Sequence, residues 1–278
     1  MELGLNGAST RRADLATDIA ITAAAGYELI ELRDDKLDAY LAQGNTPEDL
    51  DARLGSAGIR ALSINSLEGF VYPPSGQTRE SLRERCSALC RVAGAIDCPW
   101  IIAVPGARPA GVSDLEAVEE AARELDRLGE LAAPHGVRVA LEFIGWQDNA
   151  VRTLGAALEV LDAAGREDLG LVIDTFHFHV GGSDLADLER VPASRLAVLH
   201  INDAEDRPLE QLTDAHRLYP GEGVLPLGPM LLRLRQVGFA GPASVELFRP
   251  EYWERDPGRV AREAHAATVA ALQGGGLW

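Results

Sequence analysis

Short apolar runs of five to seven residues recur along the chain. Between them lie longer stretches in which hydrophobic positions return every three or four residues. The runs are ELGLN (2–6), YELIEL (27–32), IRALSIN (59–65), WIIAVP (100–105), VRVALEF (137–143), LGLVID (169–174), LAVLHIN (196–202) and ASVELF (243–248). Most are apolar at both parities of the strand repeat, as parallel strands covered on both faces are. The clearest helix spans 113–133. Ser113 and Glu116 have capping-box spacing, and Leu115, Val118, Ala121, Ala122, Leu125, Leu128, Leu131 and Ala132 share one face. Pro134 and Gly136 stop it. Segments 14–25, 47–57, 152–164 and 227–237 read the same way, each followed by a glycine.

Eight strands alternating with helices predict an α/β protein, a (β/α)8 TIM barrel in a single domain over 1–278. An open doubly wound sheet would want a glycine-rich phosphate loop after its first strand. LGLNGASTRR holds no G-x-G-x-x-G. Residues 202–226, after the seventh strand, form the longest stretch without helical pattern, and a loop of that length in a compact domain is usually functional.

Hydrophobic residues make up 46% and charged residues 25%, a globular composition. No apolar run reaches the roughly 18 residues of a membrane span, and MELGLNGAST does not read as a signal peptide, so the expected setting is cytoplasmic. The net charge is −17 and Lys36 is the only lysine, which argues against nucleic acid as a partner. Cys86, Cys90 and Cys98 lack the second pair that a structural zinc site needs and read as small buried hydrophobes.

Active sites of such barrels lie at the C-terminal ends of the strands. The fifth to eighth strands each end in a metal-competent residue: Glu142, Asp174, His200 and Glu246. One acid at a strand end is usually a cap or an ion-pair partner. Four at equivalent places on neighbouring strands converge, and three carboxylates packed together would repel without a cation. They predict a divalent metal site. Three oxygens and one imidazole nitrogen suit Mn²⁺, Mg²⁺ or Co²⁺, with Zn²⁺ also accommodated.

ALEFIG, LVIDTFHFH, HINDAEDRP, RLYPGEG and SVELFRPEYW together resemble the xylose-isomerase-like barrels of sugar isomerases and epimerases, and within them the inosose isomerases of inositol catabolism. The resemblance covers nearly the whole chain. It implies a Mn²⁺-favouring site held by Glu142, Asp174, His200 and Glu246. It also implies proton removal and return beside a ketone by Glu142 and Glu246. His177 of the D-x-x-H pattern and Arg217 before the P-G-x-G loop match substrate contacts. Asp148 stands where some relatives carry an acidic contact. Trp146 either walls the pocket or packs the rim. The implied partner is a small keto-polyol or ketose, unphosphorylated because no phosphate nest is evident, and a homo-oligomer is compatible.

A ketohexose 3-epimerase and a dehydroshikimate-type dehydratase are the alternatives on the same scaffold. Apurinic-site nucleases share the barrel but need histidines from earlier strands, and none precedes His135 here. His179 would share the parity of His177 if the sixth strand continued, but reads as packing or support. His135, His216 and His265 read as a helix-end, a loop and a structural histidine. Glu222 reads as a turn residue, and Tyr252 and Trp253 as either a cover for the mouth or a subunit contact.

Overall fold

The computed structural model describes residues 1–276. Its core is a closed barrel of eight parallel strands: Leu3–Asn6, Leu29–Arg33, Arg60–Glu68, Trp100–Val104, Arg138–Glu142, Gly170–Asp174, Leu196–Ile201 and Ala243–Val245. The first strand pairs with both the second and the eighth, which closes the ring. Every predicted run holds a barrel strand. The third strand runs three residues further than its apolar run, and the eighth stops before Glu246.

Interior positions alternate along each strand. Leu29, Trp100, Ile102, Ala140, Val172 and Val198 form a compact apolar plug inside the barrel. Gly170 makes room for it, because a Cβ there would lie 2.6 Å from the Trp100 ring. Two residues further along, the same parity turns polar: Leu29 leads to Glu31, Ala140 to Glu142, Val172 to Asp174 and Val198 to His200. The plug is therefore the floor on which a polar layer sits. The outward parity packs against the helices in one large apolar cluster.

The helices form where their caps predict. Asp114–Ala132 starts at a Ser113–Glu116 capping box, with Ser113 Oγ accepting from Glu116 N–H and Glu116 accepting from Ser113 N–H. Its Leu115, expected on the apolar face, is instead 68% exposed in the first turn. Leu15–Ala25, Pro47–Ala57, Leu154–Ala164 and Leu227–Gln236 match the other segments closely. Asp34–Ala42, directly after the second strand, had no recognised signal. Cys86 and Cys90 are buried in helix Arg79–Ala95 and Cys98 is buried before the fourth strand; all three are free. No helix among the described residues is long and apolar enough to cross a membrane.

Lys36 is buried and ties down the first βα loop. Its Nζ donates to Gly7 O at 2.9 Å, Thr10 O at 3.0 Å and Asp18 Oδ2 at 2.6 Å. Lys36→Met should leave the Asp18 carboxylate buried without a cation, destabilising the fold by about 3–5 kcal/mol. Urea unfolding would measure this, and a loss under 1 kcal/mol would mean that the loop does not depend on the pair.

Candidate metal and active site

Glu142, Asp174, His200 and Glu246 are all buried, and each offers one ligand atom within 4.8 Å of the other three. Asp174 is both a cap and a site residue. The chain turns helical at once, over Thr175–Val180, and Asp174 Oδ1 accepts from Phe176 N–H at 2.7 Å and His177 N–H at 3.0 Å. Its Oδ2 faces the cluster, where Asn202 Nδ2 donates at 3.1 Å and Arg217 also donates. Glu246 lies one residue past its strand. Ser9 holds that end, its Oγ donating to Val245 O at 3.1 Å and accepting from Leu247 N–H at 3.0 Å.

His200 presents Nδ1 to the cluster, 2.9 Å from Glu142 Oε1 and 3.5 Å from Glu246 Oε2. Its Nε2 reaches both oxygens of Glu31 at 3.0 and 3.1 Å. Burial alone would lower the His200 pKa, but the carboxylates of Glu31, Glu142 and Glu246 outweigh it and hold it well above its ordinary value. Burial likewise works against ionised Glu31, yet His200 overcomes it and brings that carboxyl down to about 2. Asp174 is also held low, Arg217 prevailing over desolvation. Glu246 goes the other way: burial, with the charge of Glu142 nearby, pushes it up to about 8.

The donor set fits one divalent cation. Three carboxylates and an imidazole converge on one small volume, and Glu246, raised by desolvation and by Glu142, marks charge crowding that a cation would relieve. Glu31 would then orient the metal-binding imidazole through its far nitrogen. Glu31→Gln should weaken Mn²⁺ binding about 10- to 100-fold. Calorimetric titration of metal-free protein would test this, and an unchanged affinity would deny Glu31 the role.

His177 and Arg217 lie beside the cluster. Arg217 is fully buried, delivered by a two-stranded ribbon in which Asp203–Ala204 pairs with Arg217–Leu218. The stretch 202–226 is thus built rather than loose. Asp203 accepts from Ala204 N–H at 2.9 Å, Gly221 N–H at 3.0 Å and Leu225 N–H at 2.8 Å, which folds the P-G-E-G turn. A Cβ at Gly223 would meet Ala204 O at 2.2 Å, so the ribbon requires that glycine. Arg217 NH2 lies 3.0 Å from His177 Nε2 and 2.9 Å from Asp214. A guanidinium only donates, so His177 Nε2 accepts and the imidazole is neutral, in keeping with burial lowering its pKa.

A cavity of about 290 Å³ opens above this floor. Glu142, Glu246, His177 and Arg217 line its base, while Trp146, Ile144 and Phe248 supply apolar wall. Trp146 stands edge-on to His177, with ring centroids 5.4 Å apart. One expectation needs correction. Asp148 does not face the cavity; its side chain is exposed in a turn, and its neighbour Asn149 lines the wall. His179 does not share the direction of His177, because the chain is helical there rather than extended; it is half-buried off the cavity. Tyr252 is buried, stacked on Tyr219 at 4.3 Å, and Trp253 donates to Ala8 O at 2.9 Å, so both pack the rim.

Glu31, Asn6, Asn65 and Asn202 were not anticipated. Asn6 Nδ2 bridges Glu31 Oε1 at 3.2 Å and Glu246 Oε1 at 3.0 Å, and Asn65 Nδ2 reaches Glu246 Oε1 at 3.4 Å. The available signal was parity: Glu31 follows the inward-facing Leu29 on the second strand and Asn6 the inward-facing Gly4 on the first.

Known proteins share this arrangement's framework. The inosose isomerase of Halalkalibacterium halodurans is 37% identical over 274 residues, covering 98% of this chain and 96% of that protein. The inosose isomerase of Bacillus subtilis is 32% identical, covering 97% of each. A crystal structure described as IOLI protein with a binding zinc atom superposes with a TM-score of 0.93 at 31% identity over 98% of both chains. L-ribulose 3-epimerase of a Methylomonas strain is more distant, 26% identical over 84% of this chain. A family model matches residues 19–270, and with it the chain belongs to the xylose isomerase-like TIM barrels, a family whose isomerase and epimerase members accord with an isomerase built on this site.

Proposed function

We propose that the chain is an inosose isomerase, moving the carbonyl of a keto-inositol to the adjacent ring carbon. The observation that carries this reading is the full-length likeness to inosose isomerases, on a barrel whose four strand-end ligands converge. A divalent cation, manganese in this reading, held by Glu142, Asp174, His200 and Glu246 supplies the Lewis acidity that makes the C–H beside the carbonyl removable. The proton itself is moved by the protein. One of Glu142 and Glu246 takes it from the carbon bearing the neighbouring hydroxyl, leaving an enediolate, and a proton is returned to the former carbonyl carbon from the other face. Glu246 suits that base because Asn6 and Asn65 orient its Oε1 while the carboxylate lines the cavity. His177 and Arg217 bind the substrate oxygens and stabilise the charge that develops on them. Inositol catabolism and a cytoplasmic setting go with this reading.

Proton NMR in D₂O tests it, using purified protein with Mn²⁺ and a panel of keto-inositols and ketohexoses. Deuterium beside the carbonyl of a keto-inositol, with the isomeric ketone appearing, is the expected result. Exchange confined to a ketohexose would make it a 3-epimerase, and loss of water from dehydroshikimate a dehydratase. No exchange in any ketone would reject the isomerase.

A further inference from the structure

Arg33 closes the second barrel strand, two residues past Glu31 on the inward parity, and lines the cavity above the ligand cluster. Its side chain is only 11% exposed, yet its hydrogen bonding is incomplete. NH1 donates to Asn65 Oδ1 at 2.8 Å. Nε is buried and has no acceptor. NH2 comes no closer than 4.0 Å to Glu68 Oε1, beyond a hydrogen bond. Glu68 also lines the cavity; its Oε1 accepts from Ser66 Oγ at 3.3 Å, and the side chain is otherwise 68% exposed. A largely buried guanidinium held against a substrate cavity with donors unspent needs an acceptor from outside the chain.

The gap identifies the acceptor. An oxygen between NH2 and Oε1 can lie at an ordinary ~2.8 Å from both across 4.0 Å. To satisfy both partners it must accept from the guanidinium and donate to the carboxylate, which water does in the free protein and a substrate hydroxyl does on displacing it, and a carboxylate or phosphate oxygen does not. The surrounding charges agree. Glu68 and Asp214 offset Arg33 and Arg217 on the cavity wall, so the wall does not favour an anion. Only the Asn65 amide separates Arg33 from Glu246 Oε1, which puts the gap on the wall of the same cavity that the ligand cluster floors.

We propose that Arg33 and Glu68 form a hydroxyl clamp. It reads one ring hydroxyl of the substrate and selects a neutral, fully hydroxylated ring. The inference rests on the keto-inositol reading and deepens it. It is tested by measuring exchange kinetics on the parent keto-inositol and its monodeoxy analogues with the full-length Mn²⁺-loaded enzyme and its Glu68→Ala and Arg33→Lys variants. In the wild type, one analogue should lose at least about a hundredfold in kcat/KM, because a site built to bond a hydroxyl rejects the analogue lacking it. Glu68→Ala should lose about tenfold on the parent, in KM rather than kcat, and discriminate far less against that analogue. Arg33→Lys, which keeps the charge but not the fork, should fall between. Mn²⁺ affinity should stay at the wild-type value in Glu68→Ala.

If the variant and deoxy penalties simply multiply, or the loss appears in kcat, the clamp is refuted while the isomerase stands. A fall in Mn²⁺ affinity would reassign the pair to supporting the ion site, again refuting it. If wild-type enzyme exchanges no keto-inositol, the functional reading fails first and the clamp with it.

Discussion

Glu246→Gln should lower kcat for deuterium exchange into a keto-inositol by about a hundred- to ten-thousand-fold at saturating Mn²⁺, the range for losing a positioned general base. The side chain keeps its shape but loses its charge and gains a donor. Neither orientation of the new amide suits the site. On one side Asn6 Nδ2 at 3.0 Å and Asn65 Nδ2 at 3.4 Å already donate; on the other stand His200 Nδ1 at 3.5 Å and Arg217 NH1 at 3.4 Å. Both faces are built for an acceptor. Mn²⁺ affinity should drop as well, so the rate must be read at metal saturation, where only the missing base remains. Exchange within tenfold of wild type under those conditions would show that another group moves the proton.

Arg217→Met should destabilise the fold by about 3–5 kcal/mol, the usual cost of removing one partner from a buried ion pair. Arg217 is the largest fully buried side chain among the described residues, and it faces Asp174, Asp214 and Glu246 with Phe176 and Phe248 packed on its guanidinium at 4.9 and 5.3 Å. Methionine would keep some of the packing and none of the charge. The diagnostic feature is rescue. A divalent cation neutralises the same Asp174 and Glu246 oxygens, so saturating Mn²⁺ should recover more stability in the variant than it adds to wild type. Thermal unfolding with and without Mn²⁺ would read this, and a deficit that Mn²⁺ leaves untouched would make Arg217 a packing residue.

The barrel was legible because its strands are short, apolar on both faces and separated by helices with recognisable caps. The four ligands were legible because each ends such a strand, where a charged residue has no reason to be buried unless it is paired. Glu31 obeys the same logic, standing second from last in YELIEL as Glu142 does in VRVALEF, and its inward parity was the signal that would have found it. Asn6, Asn65 and Asn202 are neutral amides at strand ends, where turn residues are common, and nothing in their chemistry sets them apart. The helix over Thr175–Val180 was hidden because TFHFHV is rich in residues that favour strands; Asp174 overrides that preference by capping two backbone amides. Asp148 was misjudged because distance along the chain from Glu142 does not determine the direction of a side chain in a turn. Arg33 and Glu68 meet only through pairing of the second and third strands, where Arg33 stands opposite Asn65.

Titrating metal-free protein with Mn²⁺, for wild type and Asp174→Asn, is the most direct measurement. One equivalent should bind the wild type, with protons released as the ion displaces those that the buried Glu246 carboxyl and the His200 imidazole otherwise retain. The variant should bind at least tenfold more weakly. Absence of uptake by the wild type, or equal uptake by the variant, would contradict a cation held jointly by Glu142, Asp174, His200 and Glu246.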